Sequence, residues 1–518
     1  MNSATAPLSG AAPAQAAPVQ AIPFGPRLAV GLLGIFIAAM MSGINSRVGA
    51  LALADLRGGL GVGIDEASWL NTAYSAGELI AMPFAAWFAV TLSLRRFHLL
   101  VLAVIAAIAI LLPWVQNLPL LMALRAIQGV ASGALIPLLM MAALRFLPLS
   151  LRLYALAIYS MTATFSPNVS IWLTGLWTDQ VSDLRLVYWQ AVPAALLAAP
   201  LVAWGIPQDA PKPGRFKDAN WFGMVFGVLG LALVAVTLDQ GSRLDWFRSP
   251  LIACAAACGV ACMGMYLLTE WHHPSPFIKL QLLERRNLGL GFSIFFCLVV
   301  IFLSGSLLPV SHLARAWEYR ALQSAPIGLL IGLPQLVLAP AVSLLLYRKW
   351  VDARCTLALG LVLIAIACLL GSRLTHEWMW SEFLVPQMLQ AVGQPMAVVS
   401  MLFLATSVVQ PSEGAYVSGT VNLLRALASL AGSAAVTRLV ELRERFHAEM
   451  LLDQLAGVSG RGLHAADAAS LALTVRQQAA VLSIADAYLA LGAAALLLIP
   501  CVFAMKYIPA PQIQTRSS

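Results

Sequence analysis

Charged side chains inside long apolar stretches are the residues of this chain best suited to chemistry. Glu78 lies near the centre of one such stretch, and Arg47 lies in the second half of another. A charge in the middle of a membrane helix costs roughly 2.5–3.5 kcal/mol, so it usually faces a cavity or a partner. The Glu78 carboxyl could bind and release protons, and the Arg47 guanidinium could bind a carboxylate or phosphate. Both could instead be structural, with Glu78 paired to Arg47 or Arg125.

Uncharged polar residues inside similar stretches form a second set of candidates. Those expected to flank a binding cavity are Asn45, Tyr74, Gln128, Asn168, Gln335, Gln387, Gln390 and Asn422. Trp172 would supply adaptable apolar surface, together with Met40 and Met41. Arg425 could add polarity to this cavity or pair between helices. Buried amides commonly join membrane helices, so each of these residues also has a structural alternative.

Fourteen apolar stretches of membrane-spanning length would position these residues. Only 10% of the 518 residues are Asp, Glu, Lys or Arg, against roughly 25% in soluble proteins, and the mean hydropathy is +0.84. A helix of about 20 apolar residues crosses the hydrocarbon layer of a bilayer. The predicted spans are 28–54, 67–90, 98–117, 119–144, 153–178, 186–206, 221–239, 249–269, 288–310, 323–347, 355–374, 380–406, 414–438 and 481–507. The sequence therefore predicts an all-α integral membrane protein.

The basic residues predict the orientation of these spans. An even number of spans puts both termini on one side, and the short loops of that side carry most of the Lys and Arg outside the spans. Because such residues accumulate on the cytoplasmic side, we expect both termini in the cytoplasm. The net charge of +8 follows largely from this excess and does not indicate nucleic-acid binding.

An internal similarity predicts how the spans are grouped. The stretch Arg125 to Gly133 in the fourth span resembles Gln387 to Gly393 in the twelfth. The predicted units are a disordered cytoplasmic N-terminus (1–25), a six-helix bundle (26–206), a linker with two extra membrane helices (207–287), a second six-helix bundle (288–508) and a cytoplasmic tail (509–518). Two related bundles commonly enclose a central substrate site whose exposure alternates.

Several motifs resemble the major facilitator superfamily, in its branch of 14-helix drug:proton antiporters typified by EmrB and QacA. The most specific motif is Arg125-Ala-Ile-Gln-Gly-Val-Ala-Ser-Gly133, which is similar to the signature of the fourth helix in that branch. Supporting motifs are Trp69-Leu-Asn-Thr-Ala-Tyr74, Leu238-Asp239-Gln-Gly241 and Ser418-Gly-Thr-Val-Asn422. Asn45 stands at about the position where the family usually has Asp.

The resemblance implies the major facilitator fold, with two six-helix bundles plus two inserted helices. It implies a secondary active transporter in the bacterial cytoplasmic (inner) membrane, powered by a proton gradient without a cofactor. The implied function is proton-coupled efflux of small amphipathic or drug-like compounds by alternating access, with Arg125 joining Glu78 in proton coupling. Arg47 favours anionic or zwitterionic substrates, and uptake or export of one organic anion remains an alternative.

Other protein classes fit the residues poorly. The seven His residues are scattered, with no metal-ligand spacing beyond the adjacent pair His272 and His273. An integral-membrane enzyme is therefore a remote alternative, and the sequence predicts no catalytic residue and no metal ligand. The glycine-rich phosphate-binding motif of ATP-driven pumps is absent from the sequence.

A long outer loop over 439–480 precedes the last span. Residues 439–452 and 463–475 alternate apolar and charged residues at helical spacing, which predicts two amphipathic helices. The resemblance implies a periplasmic adaptor protein and an outer-membrane channel as candidate partners for this loop. A solvated helical hairpin that only joins two spans is the alternative.

Overall fold

Apolar runs form the helices of the first half of the chain. The computed structural model describes residues 24–458 and 465–510. The first helices are α1 (Pro26–Leu51), α2 (Leu53–Leu60), α3 (Ile64–Leu92), α4 (Leu94–Leu111), α5 (Leu118–Phe146), α6 (Leu149–Thr164), α7 (Ser166–Gly175), α8 (Arg185–Trp189) and α9 (Ala191–Gly205). Local signals fix some helix starts: Pro26 opens α1, and the Asn117 side chain accepts a 3.0 Å hydrogen bond from the Leu120 amide at the start of α5.

Apolar runs also form the helices of the insert and the second half. They are α10 (Trp221–Gln240), α11 (Pro250–His272), α12 (Arg286–Ile301), α13 (Leu303–Ser306), α14 (Leu308–Trp317), α15 (Ala321–Gly332), α16 (Gln335–Leu346), α17 (Ala353–Gly371), α18 (Leu384–Thr406), α19 (Gly414–Val458) and α20 (Ala465–Phe503). Short turns of tighter helix lie at Leu112–Trp114, Pro213–Phe216, Trp246–Arg248, Leu280–Glu284 and Pro411–Glu413, and a wider π-helical turn lies at Leu176–Gln180.

Thirteen helical segments of the described residues are long and apolar enough to cross a membrane, by length and composition. The fifth predicted span is not among them, because it consists of two consecutive helices, α6 and α7, with 16 and 10 residues. The break falls at Phe165, just before Pro167, whose ring cannot continue the regular hydrogen-bond ladder. With this pair counted as one crossing, all fourteen predicted spans are helical.

The described residues of the predicted outer loop over 439–480 are helical and continue the spans on either side. Helix α19 continues without a break through the thirteenth span to Val458, and α20 begins at Ala465, ahead of the fourteenth span. Residues 439–452 contain neither Gly nor Pro, so nothing in them stops the helix. The two predicted amphipathic helices are therefore extensions of spans, while residues 459–464 lie outside the described part. Residues 1–23 of the predicted disordered N-terminus and 511–518 of the tail also lie outside it.

The extension of α19 is held to α20 and α14 by charged side chains. Asp486 on α20 accepts from Arg443 and from His447 on α19, each over 2.6 Å. Glu444 of the same extension accepts from Arg315 at the end of α14 over 2.8 Å. These contacts fix the extension to the second half of the molecule.

Close contact between α3 and α5 organises the first half. A methyl group added at Gly129 or Gly133 would collide with the backbone carbonyl oxygens of Tyr74 and Glu78, and one at Gly77 would collide with that of Ala126. Small residues therefore let the two helices approach closely. It sets Glu78 and Arg125 on two helices that cannot shift apart without losing this packing.

The two halves meet along several helix pairs, among them α7 with α15, α3 with α19 and α6 with α16. Gly328 of α15 lies against the Asn168 carbonyl of α7, and Gly175 of α7 lies against the backbone of Leu322. Gly328 thus allows α15 to contact the opposite half closely. A polar cavity remains between the halves.

Candidate functional site

The central cavity lies where the two halves and the insert meet, and its volume is about 200 Å³. The first half contributes α1, α3, α6 and α7, the insert contributes α10, and the second half contributes α19. Its lining residues are Gly43, Ser46, Arg47, Ala50, Asn71, Ser75, Glu78, Leu79, Thr162, Pro167, Asp239, Arg425, Ala426, Ser429, Leu430 and Ser433. The structure therefore brings Arg47, Glu78 and Arg425 to one site.

Glu78 reaches the cavity from one face of α3. Asn71, Ser75 and Glu78 follow one another at intervals of four and three residues, so they lie on the same side of the helix and all three line the cavity. The Glu78 Oε2 atom accepts a hydrogen bond from Ser46 Oγ over 2.7 Å. A hydroxyl group can donate or accept, so it can serve both the ionised and the protonated carboxyl.

Arg47 spans the boundary between the halves. It lies on α1, and its Nη2 donates to Ser429 Oγ on α19 over 2.9 Å. The charges of Glu78 and Arg425 both act on it, yet among the described residues no ion pair joins Arg47 to a carboxylate. The alternative of an internal salt bridge with Glu78 does not occur among the described residues, and the guanidinium donates to a hydroxyl group instead.

Arg425 lines the central cavity and a side pocket of about 40 Å³ that opens from the same region. Arg47, Asn168 and Gln394 are among the residues of this pocket. The Arg425 Nε atom is buried and has no hydrogen-bond partner among the described residues. Two guanidinium groups thus face the same space, and one of them keeps an unused donor.

Arg125 takes a different position, beside the cavity rather than in its lining. Its Nη1 donates to Gln128 Oε1 over 2.8 Å, and its guanidinium carbon lies 4.4 Å from the centre of the Tyr74 ring. Tyr74 in turn donates to Ser132 Oγ over 2.7 Å and accepts from Asn45 Nδ2 over 3.3 Å. Asn45, Tyr74, Gln128 and Arg125 therefore form one buried network, one helical turn from Glu78.

The remaining predicted residues lie outside the lining of the central cavity. Gln335 donates to the Ala391 carbonyl over 2.9 Å, Gln387 to the Gly305 carbonyl over 2.8 Å, and Gln390 to Ser304 Oγ over 2.8 Å, so these amides join helices of the second half. Asn422 accepts from Tyr159 of α6 over 2.9 Å. Trp172 has 37% of its surface exposed and lines neither the cavity nor the side pocket. The expectation that Trp172 faces the cavity is not met in this structure, because α7 turns the ring outward.

Sequence reasoning missed seven polar residues of the lining: Ser46, Asn71, Ser75, Thr162, Asp239, Ser429 and Ser433. The motif Leu238-Asp239-Gln-Gly241 could have indicated Asp239 as a site residue. Because Asp239 stands at the end of an inserted span, the motif supported only the family resemblance. The serines had none, because a lone Ser in an apolar helix does not stand out from ordinary packing.

Comparison with known proteins decides the family. The sequence profile of the Major Facilitator Superfamily matches residues 33–433. The chain belongs to the major facilitator superfamily. It is therefore a membrane transporter, not an enzyme.

Relatives and solved structures agree with this membership. The chain is 24% identical over 425 residues to the multidrug export protein EmrB of Haemophilus influenzae, covering 82% of each chain. It is 23% identical over 509 residues to the fatty acid resistance protein FarB of Neisseria gonorrhoeae, covering 93% of this chain and 97% of that one. The human organic anion transporter MFSD10 has the same fold, with a TM-score of 0.55 at 13% identity over 92% of this chain and 100% of that one. The predicted resemblance to EmrB-like proteins is confirmed.

Proposed function

We propose that the protein exports small amphipathic compounds bearing a carboxylate or a similar anionic group, in exchange for protons. The observation that carries this proposal is the central cavity, where Glu78 and the guanidinium groups of Arg47 and Arg425 meet between the two halves. A site at such a boundary is opened to one side of the membrane or the other when the halves rock.

Proton coupling is assigned to Glu78. Its carboxyl lines the cavity and keeps a hydroxyl partner, Ser46, that suits either protonation state. Glu78 lines the same cavity as Arg47 and Arg425, so gain or loss of its proton changes the charge that a substrate meets there. The proton gradient supplies the energy, and the mechanism needs no cofactor.

Arg125 supports this coupling from outside the cavity. It stacks on Tyr74, which lies one turn before Glu78 on α3. Because close packing holds α3 and α5 together, this stack and Glu78 move as one unit when the halves rock. We therefore retain Arg125 as a coupling residue that acts through Tyr74.

The substrate class follows from the cavity charges. Two guanidinium groups favour carboxylates, and both belong to residues that line the cavity. The relative named for fatty acid resistance and the organic anion transporter of the same fold support an amphipathic anion. The volume of about 200 Å³ is below the 300–1,000 Å³ of drug-sized sites, so the halves must separate to admit such a substrate. Transport of one specific organic anion, in either direction, is the second candidate, because the same two arginines would serve it.

We also propose that the chain lies in the bacterial inner membrane with both termini cytoplasmic. The extension of α19 and α20 then projects into the periplasm. There it would offer a surface to a periplasmic adaptor protein linked to an outer-membrane channel. Crosslinking from the extension in intact cells would test the orientation and the partner together.

The decisive experiment uses purified protein in liposomes with a pH-sensitive dye inside. Proton flux is recorded on adding a medium-chain fatty acid, nalidixic acid or ethidium, for wild type, Glu78→Gln, Arg47→Ala and the exposed control Arg248→Ala. We expect flux with both acids, its loss in the Glu78 and Arg47 variants, and no change in the control. Flux with ethidium that is indifferent to Arg47 would overturn the anionic substrate class, and flux that persists in Glu78→Gln would overturn the coupling role.

A further inference from the structure

The insert places a second carboxylate in the central cavity. Asp239, the penultimate residue of α10, lines the same space as Glu78. Its carboxylate accepts hydrogen bonds from Asn71 Nδ2, over 3.2 Å, and from the Thr72 hydroxyl. Next to it, Gln240 donates to Thr72 over 2.5 Å. Helix α10 is therefore bonded directly to α3, the helix that carries Glu78.

No cation balances Asp239 among the described residues. It forms no ion pair there, and its hydrogen-bond donors are both neutral. The charged groups around it are Arg47, Glu78 and Arg425 across the cavity, the pair Arg243–Asp65 beyond the end of α10, and Glu441 of α19, which accepts from Ser242. Glu78 has the charge of Arg47 nearby, whereas Asp239 does not have a comparable partner. An unpaired carboxylate in a membrane protein marks a functional site, commonly one on an ion pathway.

Asp239 lies closer to one end of the cavity than Glu78 does. It bonds to Asn71, seven residues before Glu78 on α3, which corresponds to about 10 Å along the helix axis. Beyond it lies Asp65, whose side chain is 76% exposed, so this end of the cavity is close to solvent. The order from solvent inward is Asp239, Asn71, Ser75 and Glu78. Asp239 lies between Glu78 and the surface that we propose to be periplasmic.

We propose that Asp239 is the proton-uptake residue of this transporter, so that the inserted helix takes part directly in coupling. This inference rests on the proposed function, since it presumes that Glu78 carries the transported proton. A proton from the periplasmic side binds the Asp239 carboxylate and then passes to Glu78 through water held by Asn71, Ser75 and Ser46. Only O–H bonds form and break, and each carboxylate returns to its ionised state when its proton leaves.

Infrared pH-difference spectroscopy on the full-length protein in lipid nanodiscs tests the assignment without a substrate. A carboxyl group that gains or loses a proton contributes a C=O stretching band to the difference spectrum, and replacing it by its amide removes that band. We expect Asp239→Asn to remove one such band and Glu78→Gln to remove another. If Asp239→Asn removes no band, the inference is wrong. If only Glu78→Gln removes none, the proposed coupling role of Glu78 fails and Asp239 still stands as a proton site.

Rates distinguish proton uptake from a purely structural role. In liposomes, we expect Asp239→Asn to slow substrate-driven proton flux at least about tenfold, while Asp239→Glu keeps it. Thr72→Val removes the hydroxyl bond to Asp239 but leaves the carboxylate, and Asp245→Asn changes an exposed Asp in the following loop. Both controls are expected to stay within about twofold of wild type. A loss in Thr72→Val equal to that in Asp239→Asn, with no rescue by Asp239→Glu, would show that the bond between α10 and α3 matters rather than the proton.

Discussion

Tyr74 shows how much one side chain contributes to the site. Its ring packs against the Arg125 guanidinium, and its hydroxyl group makes hydrogen bonds to Asn45 and Ser132 within a buried network. The ring and the hydroxyl group make different contacts, and two substitutions can distinguish their contributions to stability. Substitution by Phe removes the hydrogen bonds alone, whereas substitution by Leu also removes the aromatic face.

We predict that Tyr74→Phe lowers stability by about 1–3 kcal/mol, because Ser132 and Asn45 lose a buried partner. Tyr74→Leu should cost about 2 kcal/mol more, since a desolvated cation–π contact is lost as well. Thermal unfolding of the purified variants, followed by intrinsic fluorescence, measures both. Equal unfolding temperatures for the Phe and Leu variants would contradict the stacking role.

Sequence reasoning at the residue scale succeeded for charges and was less informative for amides. Arg47, Glu78 and Arg425 could be selected because the membrane penalises a charge that has no function or partner. Gln335, Gln387 and Gln390 lie in similar stretches, but an amide easily finds a partner on a neighbouring helix. Gln335 and Gln387 donate to backbone carbonyls, and Gln390 donates to the Ser304 hydroxyl. Their role depends on a helix rotation that the sequence pattern does not specify, because these spans are apolar all round.

The contact between α3 and α5 can be tested with a matched pair of glycines at the scale of elements. Ala normally stabilises a helix relative to Gly by about 0.5–1 kcal/mol. We predict this ordinary gain at Gly264 of α11, where an added methyl group meets nothing within 4 Å. At Gly133 the methyl group meets the Glu78 backbone, which cannot move aside, so Gly133→Ala should destabilise the protein and impair transport. Thermal unfolding and liposome flux compare the two, and a neutral Gly133→Ala would refute the close packing.

A second element-scale prediction concerns the end of the cavity that we propose to be periplasmic. Arg320, at the start of α15, bridges Asp179 and Asp55 of the first half, each over 2.8 Å, and Asp179 above all raises the pKa of Arg320. Asp179 also accepts from the Leu322 amide over 2.9 Å. We expect Asp179→Asn to shift the population toward separation of the halves at this end.

Spin labels at Ser182 and Glu318, one on each half, would report that shift as longer interlabel distances in Asp179→Asn. Asp183→Asn is the control, because Asp183 caps the Arg185 amide within its own half. An unchanged distance distribution in Asp179→Asn would show that the backbone contacts of α7 and α15 close this end without the ion pair.

The secondary structure of both halves could be predicted more fully than their contacts. Span positions follow from apolar runs, whose length the bilayer dictates. The break in the fifth span and the unbroken α19 show the limits of that prediction. The break depends on Pro167, and the continuity of α19 depends on the absence of Gly and Pro from residues 439–452. Neither the break at Pro167 nor the continuation of α19 can be predicted from hydropathy, because neither alters the hydropathy of its span enough.

At the scale of the whole molecule, the linkers hold the insert and the second half together. Arg285, after the insert, makes two 2.7 Å hydrogen bonds to Glu413, between α18 and α19, and these bonds lower the pKa of the Glu413 carboxyl. A carboxyl whose pKa is lower in the folded state adds stability above its unfolded pKa and loses that contribution as the pH falls through the folded value.

We therefore predict that the unfolding temperature of wild type falls more steeply below about pH 4 than that of Glu413→Gln. At neutral pH, Glu413→Gln should be the less stable of the two. Scanning fluorimetry across this range in detergent measures both effects. Parallel curves would show that Glu413 contributes no stability that depends on its ionisation.

Helix α19 has a mechanical consequence. It is 45 residues long, or about 68 Å at 1.5 Å per residue, which is more than twice the thickness of the hydrocarbon layer. Arg425 and Ser429 lie at the cavity on the same uninterrupted rod as Arg443 and Glu444 in the extension. A lateral force on the end of the extension therefore tilts the whole of α19, including the part that carries the Arg425 guanidinium. A partner protein bound to the extension would change the tilt of α19 and, with it, the geometry of the cavity.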